Sequence, residues 1–228
     1  TLRICANRPA CKADAGGDPA ALYDRVLAQV ETAPIPVRFP LPGGRRVHRE
    51  LSMGLFQTAV SGELYGTNSR QLLTRALNAT SRGDYVPLLR LAYQDAMIDE
   101  ITQKPEANPD WSDAMYTAVD CRDYGYYTGT PAQRSAAWLA EADQVDALYP
   151  RIGGSEFLGD YPCVDWPFAS TSQVRPAPLV NRGIPTLVIT ATADPITPAV
   201  QGRAVWSHLA DGYLITTVGG PHVTFGRG

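Results

Sequence analysis

The chain has 228 residues, 44% of them hydrophobic and 19% charged, with a formal net charge of −3. That apolar share supports a packed core in one or two domains and excludes an intrinsically disordered chain. No apolar run approaches the roughly 20 residues that span a bilayer, and with no basic cluster nucleic acid is not an expected partner.

The N-terminus, Thr1-Leu2-Arg3-Ile4, has neither an initiator Met nor a signal-peptide pattern, and reads as processed or trimmed. Asp18-Pro19 is a helix cap followed by Pro at the first helical position, and Leu22, Val26, Leu27 and Val30 then follow helical spacing. Residues 33–46, dense in Pro and Gly, read as a loop or short hairpin. Leu51 to Val60 reads as a helix, with Gly54 a weak point. Ser69 is expected to cap a helix with Leu72, Leu73, Ala76 and Leu77 on one face. Gly83-Asp84 marks a turn, and Tyr85 to Ile98 is helical with Pro87 in its first turn. Thr130-Pro131 repeats the cap-then-Pro signature ahead of a helix from Ala132 to Leu148.

The last third changes character. Thr186-Leu187-Val188-Ile189-Thr190 is a continuous apolar, β-branched run, which predicts a strand buried on both faces of a parallel sheet. Thr197-Pro198 is expected to cap a helix from Ala199 to Leu209, which Gly212 ends. Tyr213 to Val218 reads as a second strand, and Gly219-Gly220-Pro221 as a sharp turn. The β–α–β order requires a parallel pair with a right-handed crossover. Two strands cannot make an independent covered sheet, so most of the sheet is expected to come from polypeptide outside this chain.

Four cysteines, Cys5, Cys11, Cys121 and Cys163, contain no C-x-x-C pair and accompany only three His, so no zinc site and no other cofactor are expected. Cys5 and Cys11 lie close enough in sequence to close a short loop, which leaves Cys121 and Cys163 to pair across a longer span. Two bridges would imply an oxidising compartment, secreted or extracytoplasmic. The alternative is four buried free thiols in a cytoplasmic protein, and spacing does not fix the connectivity.

Asp194 follows the first of the two C-terminal strands and His222 follows the second. Open α/β sheets place their sites at that carboxyl edge. Asp before His is the tail of the Ser…Asp…His order of α/β-hydrolases. The carboxylate would fix the imidazole tautomer, and the second ring nitrogen would take a proton from a nucleophile. Taken singly, an Asp before Pro is also a common Asx-turn residue, and a His after Gly-Gly-Pro a plain loop residue.

Asp194-Pro195-Ile196-Thr197-Pro198 after Pro185-Thr186-Leu187-Val188-Ile189 resembles the acid loop of tripeptidyl-aminopeptidase-like α/β-hydrolases, which are related to proline iminopeptidases. Gly220-Pro221-His222 resembles their histidine loop. The stretches around Cys121 (Ala118 to Asp123) and Cys163 (Cys163 to Pro167) resemble their spaced Cys motifs, and Leu64-Tyr65 with Ala76 to Asp84 resembles their helical cap. The resemblance implies an α/β-hydrolase fold and a serine hydrolase that removes residues or short peptides from free peptide N-termini. Asp194 would be the acid and His222 the base. Residues 1–170 would form a mostly helical cap, and 171–228 the C-terminal part of the core.

The expected G-x-S-x-G nucleophile elbow is absent from the sequence. The nearest string, Gly153-Gly154-Ser155-Glu156-Phe157, lacks the closing Gly and follows no strand. The reading is therefore of the C-terminal piece of an enzyme. Its serine and oxyanion-hole amides would lie in an N-terminal segment or chain, and the piece alone would be inactive.

An aminopeptidase of this kind needs acidic groups for the substrate ammonium, and Asp120, Asp123 and Glu63 are the candidates. Tyr124 and Trp166 are candidate pocket walls, with cap-core packing the alternative for each aromatic, as for Trp111, Trp138, Tyr126 and Tyr127. His48 reads as a surface residue, and His208 carries no assigned chemistry. Asn78-Ala79-Thr80 fits a glycosylation sequon by spacing alone. Two competing functions remain: a carboxylesterase or amide hydrolase on a small molecule, and a non-catalytic binding subunit that keeps Asp194 and His222 from a hydrolase ancestor.

Overall fold

A computed structural model of the chain describes residues 1–123, 127–152, 161–168 and 183–226. In chain order the elements are α1 (Leu2–Ala6), α2 (Pro9–Asp14), α3 (Pro19–Thr32), β1 (Ile35–Pro40), a 3₁₀ turn (Pro42–Gly44), β2 (Arg46–Leu51), α4 (Met53–Gly62), α5 (Thr67–Thr80) and α6 (Val86–Asp95). They continue with α7 (Asp113–Asp123), α8 (Pro131–Leu148), α9 (Tyr161–Val164), β3 (Thr186–Ala191), α10 (Ala199–Ser207) and β4 (Gly212–Thr217).

The hydrophobic core lies in the first hundred residues. The helical spacing of Tyr23, Val26 and Val30 puts one face of α3 onto Phe56, Ala59 and Val60 of α4, with Leu73, Ala76 and Leu77 of α5 and Leu88, Leu89 and Ala92 of α6 in the same cluster. The strand alternation of β1 sends Val37 and Phe39 into that cluster while Arg38 stays outside. Full burial of each such side chain is worth about 1.5–3 kcal/mol. Asp18 caps α3 by accepting from the amides of Ala20 and Ala21. Thr130 and Gln133 form a reciprocal capping box on α8.

Disulfides join Cys5 to Cys11 and Cys121 to Cys163, and no described cysteine is free. The first sits between α1 and α2, which dock on α5 through the Asn78 amide donating to the Cys11 carbonyl at 3.2 Å. The second ties α7 to α9, and Trp138 of α8 packs its ring 4.9 Å from that of Tyr161. Arg151 connects the end of α8 back to α3 through a two-point ion pair with Asp24 at 2.7 and 2.8 Å.

Several local expectations change. Residues 33–46 open a hairpin whose second strand runs on to Leu51, so Leu51 is a fully buried strand residue and α4 begins at Met53, capped by Ser52. Ser69 is not the cap of α5. It lies in the first turn, after a cap at Gly66, and its hydroxyl reaches back to the Gly66 amide at 3.0 Å. Leu72 is exposed while Leu73, Ala76 and Leu77 are buried, so Leu72 lies outside the apolar stripe that α5 turns to the core. The sequon asparagine Asn78 is 6% exposed, its amide committed to Cys11, which leaves no surface there for a glycan.

Strands β3 and β4 pair in parallel, Thr186 opposite Gly212 through Ala191 opposite Thr217, with α10 as the crossover. The described residues thus mix helix and strand, and their parallel sheet has two strands. Burial of β3 on both faces is not met among the described residues. Leu187, Tyr213 and Ile215, which alternation puts on one face, are 52%, 61% and 51% exposed. The other face carries Thr190, 6% exposed beneath Gly202 of α10. Among the described residues no helix is long and apolar enough to cross a membrane.

Candidate functional site

The two loops that leave β3 and β4 are zipped together beyond the strands. The Thr192 amide donates to the Thr217 carbonyl at 2.9 Å and the Ala193 amide to the Gly219 carbonyl at 3.0 Å. The Thr192 hydroxyl accepts from the Gly219 amide at 2.8 Å. The second loop turns through Gly219 and Gly220, both in the left-handed region at φ 81° and 78°. At Gly220 a Cβ would lie 2.9 Å from the Ala191 side chain, so close approach as well as the turn selects glycine.

This continuation places Asp194 and His222 side by side. His222 Nδ1 lies 3.0 Å from Asp194 Oδ1 and 3.1 Å from Oδ2. The Asp194 side chain is 5% exposed and that of His222 24%. Asp194 also accepts from the amides of Ile196 and Thr197 at 2.9 and 2.8 Å and from the Thr197 hydroxyl at 2.8 Å. It is therefore an Asx-turn residue and a histidine partner together, so the two roles that spacing suggests do not exclude each other. Burial works to raise its carboxyl, but the Thr197 amide and hydroxyl, the Ile196 amide and His222 hold it below the usual carboxylate range. An ionised Asp194 is a pure acceptor. The partner it selects is the Nδ1–H tautomer, with Nε2 left as the basic nitrogen of the ring.

The helical part of the chain closes on the pair from the corner between α4 and α5. The His222 amide donates to the Tyr65 carbonyl at 2.7 Å, and the Tyr65 ring stands edge-on to the imidazole, 5.5 Å between centroids at 89°. Arg70, on the first turns of α5, reaches both site loops. Sequence reasoning misses Tyr65 and Arg70 because contacts this distant leave no periodic signal. Of the Thr197-Pro198 pair that the sequence offers as the cap of α10, Pro198 takes the cap position and the Thr197 hydroxyl is diverted to Asp194. The Asp-x-x-Thr spacing, with the acidic residue accepting from the amides two and three positions on, is the local signal for that role.

The other candidates are spread more widely. Glu63, at the end of α4, is 2% exposed, and one of its carboxylate oxygens has no hydrogen-bond partner. Burial holds its carboxyl above the usual range. Asp120 and Asp123 lie on α7, half-buried and exposed, and Trp166 follows α9 with its ring 5.9 Å from that of Phe168. These three belong to the disulfide-linked α7–α9 region and are not among the described contacts of the Asp194–His222 pair. Tyr124, Tyr126 and the string around Ser155 lie outside the described residues. Trp138 is buried and Trp111 is 47% exposed. His48 stands exposed on β2 opposite Arg38. Among the described residues no group of three or more His, Cys, Asp or Glu is arranged to hold a metal ion.

A family model described as TAP-like protein, of the α/β-hydrolases, matches residues 149–228. Both site loops fall inside that match. It agrees with a TAP-like α/β-hydrolase C-terminal part, and the activity class it points to is hydrolysis. No curated protein matches the chain.

Proposed function

We propose that the protein is part of a serine hydrolase that cleaves peptides at their N-terminal end through an acyl-enzyme. The observation that carries the reading is the contact of His222 Nδ1 with Asp194 at 3.0 Å, on loops leaving adjacent parallel strands. In this reading Asp194 holds the imidazole and stabilises its cation. His222 Nε2 takes the proton of a serine hydroxyl as the oxygen attacks the scissile carbonyl. The same proton then passes to the leaving amine, and the acyl-enzyme forms. Water, deprotonated by Nε2, releases the acyl group and restores the serine.

The serine and the oxyanion-hole amides are assigned to polypeptide outside these 228 residues. The missing G-x-S-x-G string and the exposed apolar face of Leu187, Tyr213 and Ile215 support this. Residues 1–170 are proposed as the cap, mostly helical with one hairpin, and 171–228 as the C-terminal part of the core. Asp120, Asp123 and the buried Glu63 are the acidic candidates for the substrate ammonium, and Trp166 and Tyr124 the candidate walls. The two disulfides fit a secreted or extracytoplasmic site of action.

The test uses the full protein with its nucleophile segment. It should label with a fluorophosphonate and cleave aminoacyl- or tripeptidyl-nitroanilides. Cleavage of short-chain nitrophenyl esters without any anilide cleavage would replace the peptidase reading by an esterase. Absence of labelling with His222 intact would leave a binding subunit.

A further inference from the structure

Two loops that must stay in register carry Asp194 and His222, and one side chain from the helical region touches both. Arg70 stands one turn into α5. Its Nη2 donates to the Ala193 carbonyl at 2.8 Å and to the Gly220 carbonyl at 2.9 Å, while its Nε donates to the Leu64 carbonyl at 2.8 Å. Ala193 immediately precedes Asp194, and Gly220 lies two residues before His222. These carbonyls lie past the ends of the β3–β4 ladder, beside the bonds that tie Thr192 and Ala193 to Thr217 and Gly219, and Arg70 adds a side-chain bridge to that backbone zipper. The guanidinium is planar and its donors have fixed directions, so a single nitrogen shared by two carbonyls sets their separation. The third bond, to Leu64, anchors the fork beside Tyr65, whose carbonyl receives the His222 amide. Burial works against the charge of the half-buried guanidinium, and the Asp194 carboxylate nearby partly offsets it.

We infer that Arg70 is a positioning residue. By bridging the Ala193 and Gly220 carbonyls it fixes, together with the backbone zipper, the distance between the acid loop and the histidine loop, and couples that distance to the placement of α5. The inference rests on the hydrolase reading above and adds a control over the pair from the helical region. Any movement of α5 against the sheet edge would pull Asp194 and His222 out of reach together. An open helical region would then hold an unreactive pair, and a seated one a reactive pair.

The experiment compares the full wild-type protein with Arg70→Met and Arg70→Lys, reading the rate of fluorophosphonate acylation per folded molecule, the folded fraction by circular dichroism and the pH profile of acylation. Acylation reports the nucleophile and its base without a bound peptide, so substrate contacts do not enter. Arg70→Met should acylate more slowly by on the order of 10²-fold, the scale of a misplacement near 1 Å. Its pH profile should also differ from that of wild type, because the contact between Asp194 and the imidazole is disturbed. Arg70→Lys keeps the charge but not the fork, and should recover part of the rate. Wild-type acylation per folded molecule in either variant overturns the inference. So does a loss that follows the folded fraction alone, including failure of both variants to fold, since the role is then structural. If wild type itself does not label, the hydrolase reading fails instead, and the two failures are distinct.

Discussion

The backbone amide of His222 donates to the carbonyl of Tyr65 at 2.7 Å, so the histidine loop is held by the α4–α5 corner as well as by its own strand. His222 is therefore held at its amide by the Tyr65 carbonyl and at its ring by the Tyr65 ring, by the Asp194 carboxylate at Nδ1 and by the Thr197 hydroxyl 3.3 Å from the same nitrogen. Backbone capture of this kind survives substitution of the Tyr65 side chain, which makes the imidazole itself the point to test.

His222→Ala in the full protein should lower kcat by several orders of magnitude with little change in the folded fraction. Asp194→Asn should be nearly as severe, on the order of 10⁴ in kcat, because an amide donor at that position selects the wrong tautomer. Steady-state kinetics on a nitroanilide substrate check both. Turnover at the wild-type rate from His222→Ala would end the assignment.

Gly220→Ala should damage activity through the backbone. The position needs a left-handed conformation, which costs an L-residue about 1–2 kcal/mol, and the new methyl would press on Ala191 at 2.9 Å. The loop can relieve both only by moving, and His222 moves with it. A lowered Tm together with a fall in acylation rate larger than the loss of folded protein is the expected result.

Asp95 ends α6 next to Glu63, and one of its carboxylate oxygens is buried without a partner. Burial first, and the Glu63 charge second, push its carboxyl up from the ordinary 3.8 to about 7. The folded protein thus holds a proton that the unfolded chain has already released. The group contributes its full stability below the unfolded value, and that contribution is lost as pH rises from there through about 7. The protein should accordingly melt lower at pH 8 than at pH 5, and Asp95→Asn should flatten the difference and raise the pH 8 Tm. Thermal melts at the two pH values decide it; an unchanged slope in Asp95→Asn would remove Asp95 as its source.

The two disulfides should differ in weight. Cys121–Cys163 closes a separation of 42 residues and Cys5–Cys11 one of 6. On loop entropy alone the first constrains the unfolded chain by about 4 kcal/mol and the second by about 2 kcal/mol. Urea unfolding of Cys121→Ser/Cys163→Ser and of Cys5→Ser/Cys11→Ser should show the larger loss in the first.

Much of the chain was legible because its signals are local. Asp18-Pro19 and Thr130-Pro131 give helix starts, and the β-branched run from Thr186 to Thr190 gives a strand, since each records a backbone preference of the residues themselves. The helices α1, α2 and α7 were not legible. Two of them are short and the third has little apolar stripe, so they follow from the disulfides and neighbours they dock on. Sequence puts the start of α5 at Ser69 and the structure at Gly66, because a serine in the first turn offers the same hydroxyl as a cap.

The residues alone determined that an acid and a histidine stand at the ends of two successive parallel strands, because strand propensity, turn glycines and chain order are written in neighbouring positions. Only the tertiary structure decided what surrounds that pair. The reach of Arg70 into two loops, the capture of His222 by Tyr65 and the burial of Glu63 depend on how helices pack at a distance. Packing at a distance obeys side-chain volume and hydrogen-bond satisfaction, which no short stretch of sequence encodes.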